Sequence, residues 1–314
     1  MLIALSAAAL SLDTAGAVDP AVVFEGETVE AVARYEIHEA VALEGGAVLM
    51  RRSDAPNEKG WTRVKTGVQE ETAAFAFVPN GKVPTLLIGT DDSAFVYALK
   101  SADGPAVRNV QFDNLEARKK WYTPWGGPPA VRRFAVTQDG TVYADIHVGS
   151  IMRSKDHGAT WEPVEPSLHP DVHEIAVSKA KPDRVYANTA NAVYVSDDRG
   201  ATWTHRRDGL PARYGRAVAV HPENPDLVLA SVSDGPRGGN GRLFRSENAG
   251  ADWEHVDNGF PASVNQNIDT KRVAFTSDGS AWAAVGKTLY MSQDGGKTWS
   301  IRWEAEEAIR ALAP

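Results

Sequence analysis

Cysteine is absent from the 314 residues, which excludes a disulfide framework and thiol catalysis. Positive charge is scarce beside negative: 33 Lys and Arg face 41 Asp and Glu, a net charge of −8. A nucleic-acid partner or an acidic-membrane surface is therefore not expected, since both require an excess of cations. Segments of helical period are lacking, which leaves an all-β chain. Lys and Arg are also missing ahead of the apolar run Leu2–Leu12, where a secretory leader carries them. That run reads as two strands, an Asp-turn at Asp13–Gly16 and a third strand at Val22-Val23-Phe24. With no cysteine, this gives a cytoplasmic expectation. The alternative is export, with residues 1–17 as a signal peptide cleaved near Ala15-Gly16-Ala17.

What is abundant is one short motif. Ser292-Gln-Asp294-Gly-Gly296-Lys-Thr298-Trp299 has three earlier counterparts: Ser154…Trp161, Ser196…Trp203 and Ser246-Glu-Asn248-Ala-Gly250-Ala-Asp252-Trp253. The copies start 42, 50 and 46 residues apart, the spacing of a repeat array or propeller. Each copy sits between two short β-type runs. Asp or Asn followed two residues later by Gly is turn chemistry, with a side-chain oxygen capping backbone N–H groups and Gly taking positive φ. The Trp opens the next strand and folds its ring over the turn.

Aligned, the copies define a unit of three strands, the motif turn and a fourth strand. Complete units run from about Val131 to Val164, Val172 to His205, Gly215 to Val256 and Arg272 to Trp303. Two degenerate units precede them. Thr28 to Val64 carries a stretched motif, Ser53-Asp54…Gly60-Trp61, and Thr72 to Phe112 has Ser101-Ala-Asp103-Gly104 without a Trp. The N-terminal strands lack a first strand, and Ala308–Ala313 lacks a second. Joined, they complete one further unit and remove exposed sheet edges. The expectation is a single domain, residues 1–314, forming a seven-bladed β-propeller closed by pairing of its N- and C-terminal strands. The alternative is six blades after a disordered leader.

The motif resembles the Asp-box (BNR) repeat, Ser-x-Asp-x-Gly-x-Thr-Trp. That family includes sialidases, sortilin-type receptors, xyloglucan-degrading hydrolases and photosystem assembly factors. The resemblance implies a propeller and no particular reaction, because the box is a fold element. The Phe/Tyr-Arg-Ile-Pro element that the resemblance would require of a sialidase is absent, so sialic-acid hydrolysis is not supported. The xyloglucan hydrolases use two propellers, and this chain has the length of one. The assembly factors are similar in blade number and in basic face residues.

Candidate chemistry lies where first strands begin. The aligned positions are Glu30, Ala73, Arg132, His173, Arg216, Lys271 and Arg310. Four permanent cations in an acidic chain suggest an anion site for carboxylate, sulfate, phosphate or an acidic sugar, gripped by guanidinium forks. The bland reading is a wet polar channel balanced by Glu30, Glu70, Glu71 and Asp171. Asp145 and His147, with His169-Pro-Asp171-Val-His173-Glu174, form a second cluster. There His173 or His147 would serve as acid/base oriented by Asp171. No cofactor is certain, though His147, His169 and His173 could instead hold a divalent metal. Loop-capping Asp and channel-lining His are favoured over the metal.

Trp121, Tyr122 and Trp125, in the Arg118–Pro129 loop, offer a lid or stacking platform; otherwise they pack between blades. Tyr214 with Arg213, and Asn265–Asn267, complete the rim, and the glycine-rich insertion Ser233–Gly241 is expected to be mobile. The functional expectation is binding, with possible hydrolase- or lyase-like turnover, of an anionic small molecule or acidic glycan. The alternative is a non-catalytic scaffold for a protein partner.

Overall fold

The structure is a computed structural model that describes residues 2–5, 8–11, 22–23, 28–53, 60–164 and 166–314. The Asp13–Gly16 turn, the Ala15–Ala17 segment and Asp54 of the stretched motif lie outside these residues. Two compact units are present: Met1–Pro163 with Arg310–Ala313, and Val164–Ile309 with Pro314.

Six four-stranded antiparallel sheets are each continuous in sequence. The second unit holds three, opening with Val172–Val177, Tyr214–Val220 and Val273–Phe275. The first holds three more, opening with Val29–Tyr35, Thr72–Val78 and Val131–Val136. Six is the count that the six-blade alternative assigns to contiguous chain. A further four-stranded sheet joins the two chain ends: Ala311–Ala313 pairs with Leu2–Ala4, in the register Leu2↔Ala313, Ile3↔Leu312 and Ala4↔Ala311.

Alternation along the strands supplies the cores. In the second unit Ala217, Leu229, Leu243, Phe260, Val273, Tyr290 and Trp299 form one buried cluster. In the first, Leu87, Phe112, Trp121, Val131, Phe134, Ile146 and Trp161 form another. Both follow from period-2 patterning with one face turned to the neighbouring sheet.

The motif turns repeat one hydrogen-bond scheme. Ser154 Oγ donates to Asp156 Oδ1 at 2.8 Å and accepts from Gly158 N at 2.8 Å. Asp156 also accepts from Thr160 N (2.8 Å) and Thr160 Oγ1 (2.6 Å). The Trp161 indole closes the turn by donating to Gly158 O at 3.0 Å. The turn at Ser292–Trp299 is the same bond for bond. In the third copy the roles reverse: Asn248 Nδ2 donates to Asp252 Oδ2 at 2.7 Å, so the carboxylate moves four residues on and the bond survives. Burial raises the Asp294 carboxyl, but bonds from Thr298, Ser292 and Lys297 outweigh it and hold the group at about 2.

The unit that lacks a Trp solves its outer edge differently. After Val107–Arg108 the chain forms a one-turn helix, Val110–Asp113, capped by Asn109 Oδ1 accepting from Phe112 N at 2.8 Å. Gln111 then grips the backbone of Trp161 in the next sheet. Its Oε1 accepts from Trp161 N at 2.8 Å, and its Nε2 donates to Trp161 O at 3.0 Å.

Candidate functional site

The aligned first-strand positions coincide with breaks in the ladders. Register shifts fall between Val29 and Ala31, Thr72 and Ala74, Val131 and Arg133, Val172 and Glu174, and Gly215 and Val218. Glu30, Ala73, Arg132 and His173 are therefore each the extra residue of a β-bulge, and Arg216 lies within the fifth. A bulge leaves a residue unpaired, re-aims its side chain and sharpens the local twist. Of the seven aligned positions, Glu30, Ala73, Arg132 and Arg310 belong to the first unit, and His173, Arg216 and Lys271 to the second.

Arg216 and Arg310 each meet a carboxylate inside their own units. Arg216 Nε donates to Asp269 Oδ1 at 2.7 Å. Arg310 lies 3.7 Å from Glu30 Oε1. Lys271 sits at φ 63° and gives its backbone N–H to Glu174 Oε1 at 3.1 Å. The other oxygen of that fully buried carboxylate accepts from Val218 N at 3.1 Å. Glu174 thus bolts three neighbouring segments together through backbone donors.

His173 is 1% exposed. Its Nδ1 lies 2.5 Å from Gly215 O, its Nε2 lies 3.4 Å from Asp171 Oδ1, and its ring is 4.8 Å from that of Tyr214. His169 Nδ1 accepts from the backbone N–H of Asp171 at 3.2 Å. His147 belongs to the first unit, where its buried ring lies 4.5 Å from Trp125. Among the described residues no group of three His, Asp or Glu side chains is gathered to hold a metal ion.

The aromatic loop divides. Trp121 is 9% exposed and packs on Phe112 with the Arg118 guanidinium over its ring, so it serves the core and not a rim. Trp125 is 73% and Tyr122 56% exposed. The turn between them is fixed by Thr123 Oγ1 donating to Gly127 O at 2.5 Å.

The second unit contains an open groove of about 550 Å³. Three segments line it: Ala190, Pro211–Tyr214 and Ser233–Pro236. Here the insertion expected to be mobile is tied down. Gly241 and Val264 exchange backbone bonds at 2.9 Å in both directions, Ser233 Oγ donates to Asn267 Oδ1 at 2.5 Å, and Asn267 Nδ2 donates to Pro236 O at 3.2 Å. Asp269, Asn188 and Ser231 were missed in the sequence. Asn188 is fully buried and donates to Ala217 O and Ser231 O. Ser231 Oγ donates to Ile268 O at 2.7 Å. For Asn188 and Ser231 the one signal is a polar residue at an otherwise apolar strand position, as in Val185-Tyr-Ala-Asn188.

Comparison with known proteins fits this architecture. A family profile described as "Sortilin, neurotensin receptor 3" matches residues 149–240, and the BNR/Asp-box repeat matches residues 290–300. A probable oligoxyloglucan-reducing end-specific xyloglucanase of Neosartorya fischeri is 28% identical over 182 residues, 50% of this chain and 22% of that one. An oligoxyloglucan-reducing end-specific xyloglucanase of Emericella nidulans is 26% identical over 204 residues, 54% and 24% of the two chains. The chain thus spans about a quarter of the length of these relatives. Among solved structures, the GH74 xyloglucanase of Xanthomonas campestris superposes with a TM-score of 0.64 at 18% identity, over 88% of this chain and 45% of that one. YCF48 bound to D1 peptide superposes with a TM-score of 0.62 at 15% identity, over 99% and 89%. The chain is an all-β propeller built with BNR/Asp-box repeats.

Proposed function

We propose that the chain is a glycan-binding propeller that holds an oligosaccharide in the groove of its second unit. The observation that carries this is the groove's lining. Tyr214 offers an aromatic ring, exposed Arg213 and Asp234 offer charged hydrogen-bonding groups, and Pro211 and Pro236 stiffen the lining. An aromatic face with a few convergent polar groups is the usual chemistry of a small-molecule cleft. Relatives named as xyloglucanases support a sugar as the ligand class. An acidic sugar would find its partner in Arg213, since Arg216 is engaged by Asp269.

Binding is favoured over turnover. Glycoside hydrolysis ordinarily takes two carboxyl groups roughly 5 to 9.5 Å apart across the bond, and Asp234 is the carboxylate among the groove's lining residues. His173, sealed beneath Tyr214, does not meet a ligand from that position.

Thermal-shift and calorimetric titration with xyloglucan oligosaccharides, and with oligogalacturonates as acidic comparators, test the reading. A bound sugar raises the melting temperature, and Tyr214→Ala is expected to abolish the rise. No response of the wild type to either sugar class overturns it. A second reading, a protein or peptide partner, is favoured by the exposure of Trp125 and Tyr122. Under it, Trp125→Ala would abolish partner binding and leave oligosaccharide affinity unchanged.

A further inference from the structure

His173 is not among the groove's lining residues, yet it touches Tyr214, which is, and Asp171, which holds Ala190. A carbonyl oxygen only accepts, so the 2.5 Å contact with Gly215 O places a proton on His173 Nδ1. Gly215 directly follows Tyr214, the aromatic residue of the groove's lining. Across the ring, Nε2 faces Asp171 Oδ1 at 3.4 Å. The backbone oxygen of Asp171 accepts from Ala190 N at 2.9 Å, and Ala190 also lines the groove. The face of the imidazole lies against the Tyr214 ring at 4.8 Å with a tilt of 55°. Ala192 N, two residues beyond Ala190, donates to Arg213 O at 2.6 Å and draws the same two segments together. The imidazole is thus a strut between the segment carrying Ala190 and the one carrying Tyr214.

We infer that His173 is a positioning residue of the groove, fixing the Tyr214 ring and the spacing of these two segments through its Nδ1–H bond to Gly215 O. This rests on the groove being the sugar site proposed above. His173→Leu keeps most of the bulk and removes the donor. His173→Asn carries an amide nitrogen close to the place of Nδ1 and keeps it. Oligosaccharide affinity is expected to fall roughly five- to tenfold in His173→Leu and to stay near wild type in His173→Asn.

Hydrogen exchange without ligand gives an independent readout. The amides of Ala190, Ala192 and Gly215 should exchange faster in His173→Leu and not in His173→Asn. Wild-type binding retained in His173→Leu, with unchanged exchange, overturns the inference. Should the wild type bind no sugar, the groove reading fails while the exchange comparison still decides the strut. If His173→Leu does not fold, Asp171→Ala, which releases only Nε2, is expected to quicken the same amides more mildly, and no change there overturns the strut.

Discussion

At the residue scale, the Asp-box turns were legible because the bonds their Ser and Asp or Asn side chains make lie within eight residues. Ser154 and Asp156 cap the backbone of their own turn, and the pattern survives when Asn248 and Asp252 exchange donor and acceptor. Asp269 and Asn188 were not legible, since their partners come from other strands. Arg216 meets a carboxylate 53 residues on, and Asn188 meets carbonyls of Ala217 and Ser231. No local pattern encodes such a pair. Asp294→Ala removes an exposed but fourfold-bonded carboxylate and is expected to cost about 1 kcal/mol at neutral pH. The carboxyl is held down to about 2, below the ordinary range of an aspartate. Its contribution is therefore complete above the unfolded value and is lost as pH falls through about 2. Wild type and Asp294→Ala, melted from pH 7 down to pH 2, should converge at the acid end.

At the element scale, the strands followed from alternation and their ends from turn residues. The bulges did not, because an extra residue leaves the apolar pattern nearly intact. Aligning repeats nevertheless found Glu30, Ala73, Arg132 and His173, the residues that break the register. The helix Val110–Asp113 was missed because four residues are too few to show a period. The insertion Ser233–Gly241 looked loose from its glycines, and its anchors come from the next loop. Gly241 makes that anchorage possible: a Cβ there would stand 2.0 Å from Gln266 O. Gly241→Ala should break the Gly241–Val264 pairing and free the insertion. Limited proteolysis would show this as new cleavage between Ser233 and Gly241, and an unaltered digest would count against the anchor.

At the scale of the whole molecule, repeat spacing made the propeller legible, and the leftover strands at the two ends made their pairing legible. Function was less legible, since the boxes describe folding and the groove is assembled from segments around Ala190, Arg213 and Ser233. Deleting residues 311–314 removes three buried side chains, Ala311, Leu312 and Ala313. The loss is expected to be about 3 kcal/mol from apolar burial alone. It should be read as a lower unfolding midpoint and faster amide exchange at Ile3 and Ala4.

That terminal pairing also bears on biosynthesis. Leu312 is made 309 residues after its partner Ile3. Until then Leu2–Ala4 waits with one edge bare, and contacts of such long sequence separation form slowly. A nascent chain stalled short of Leu312 would present that edge to whatever strand comes near.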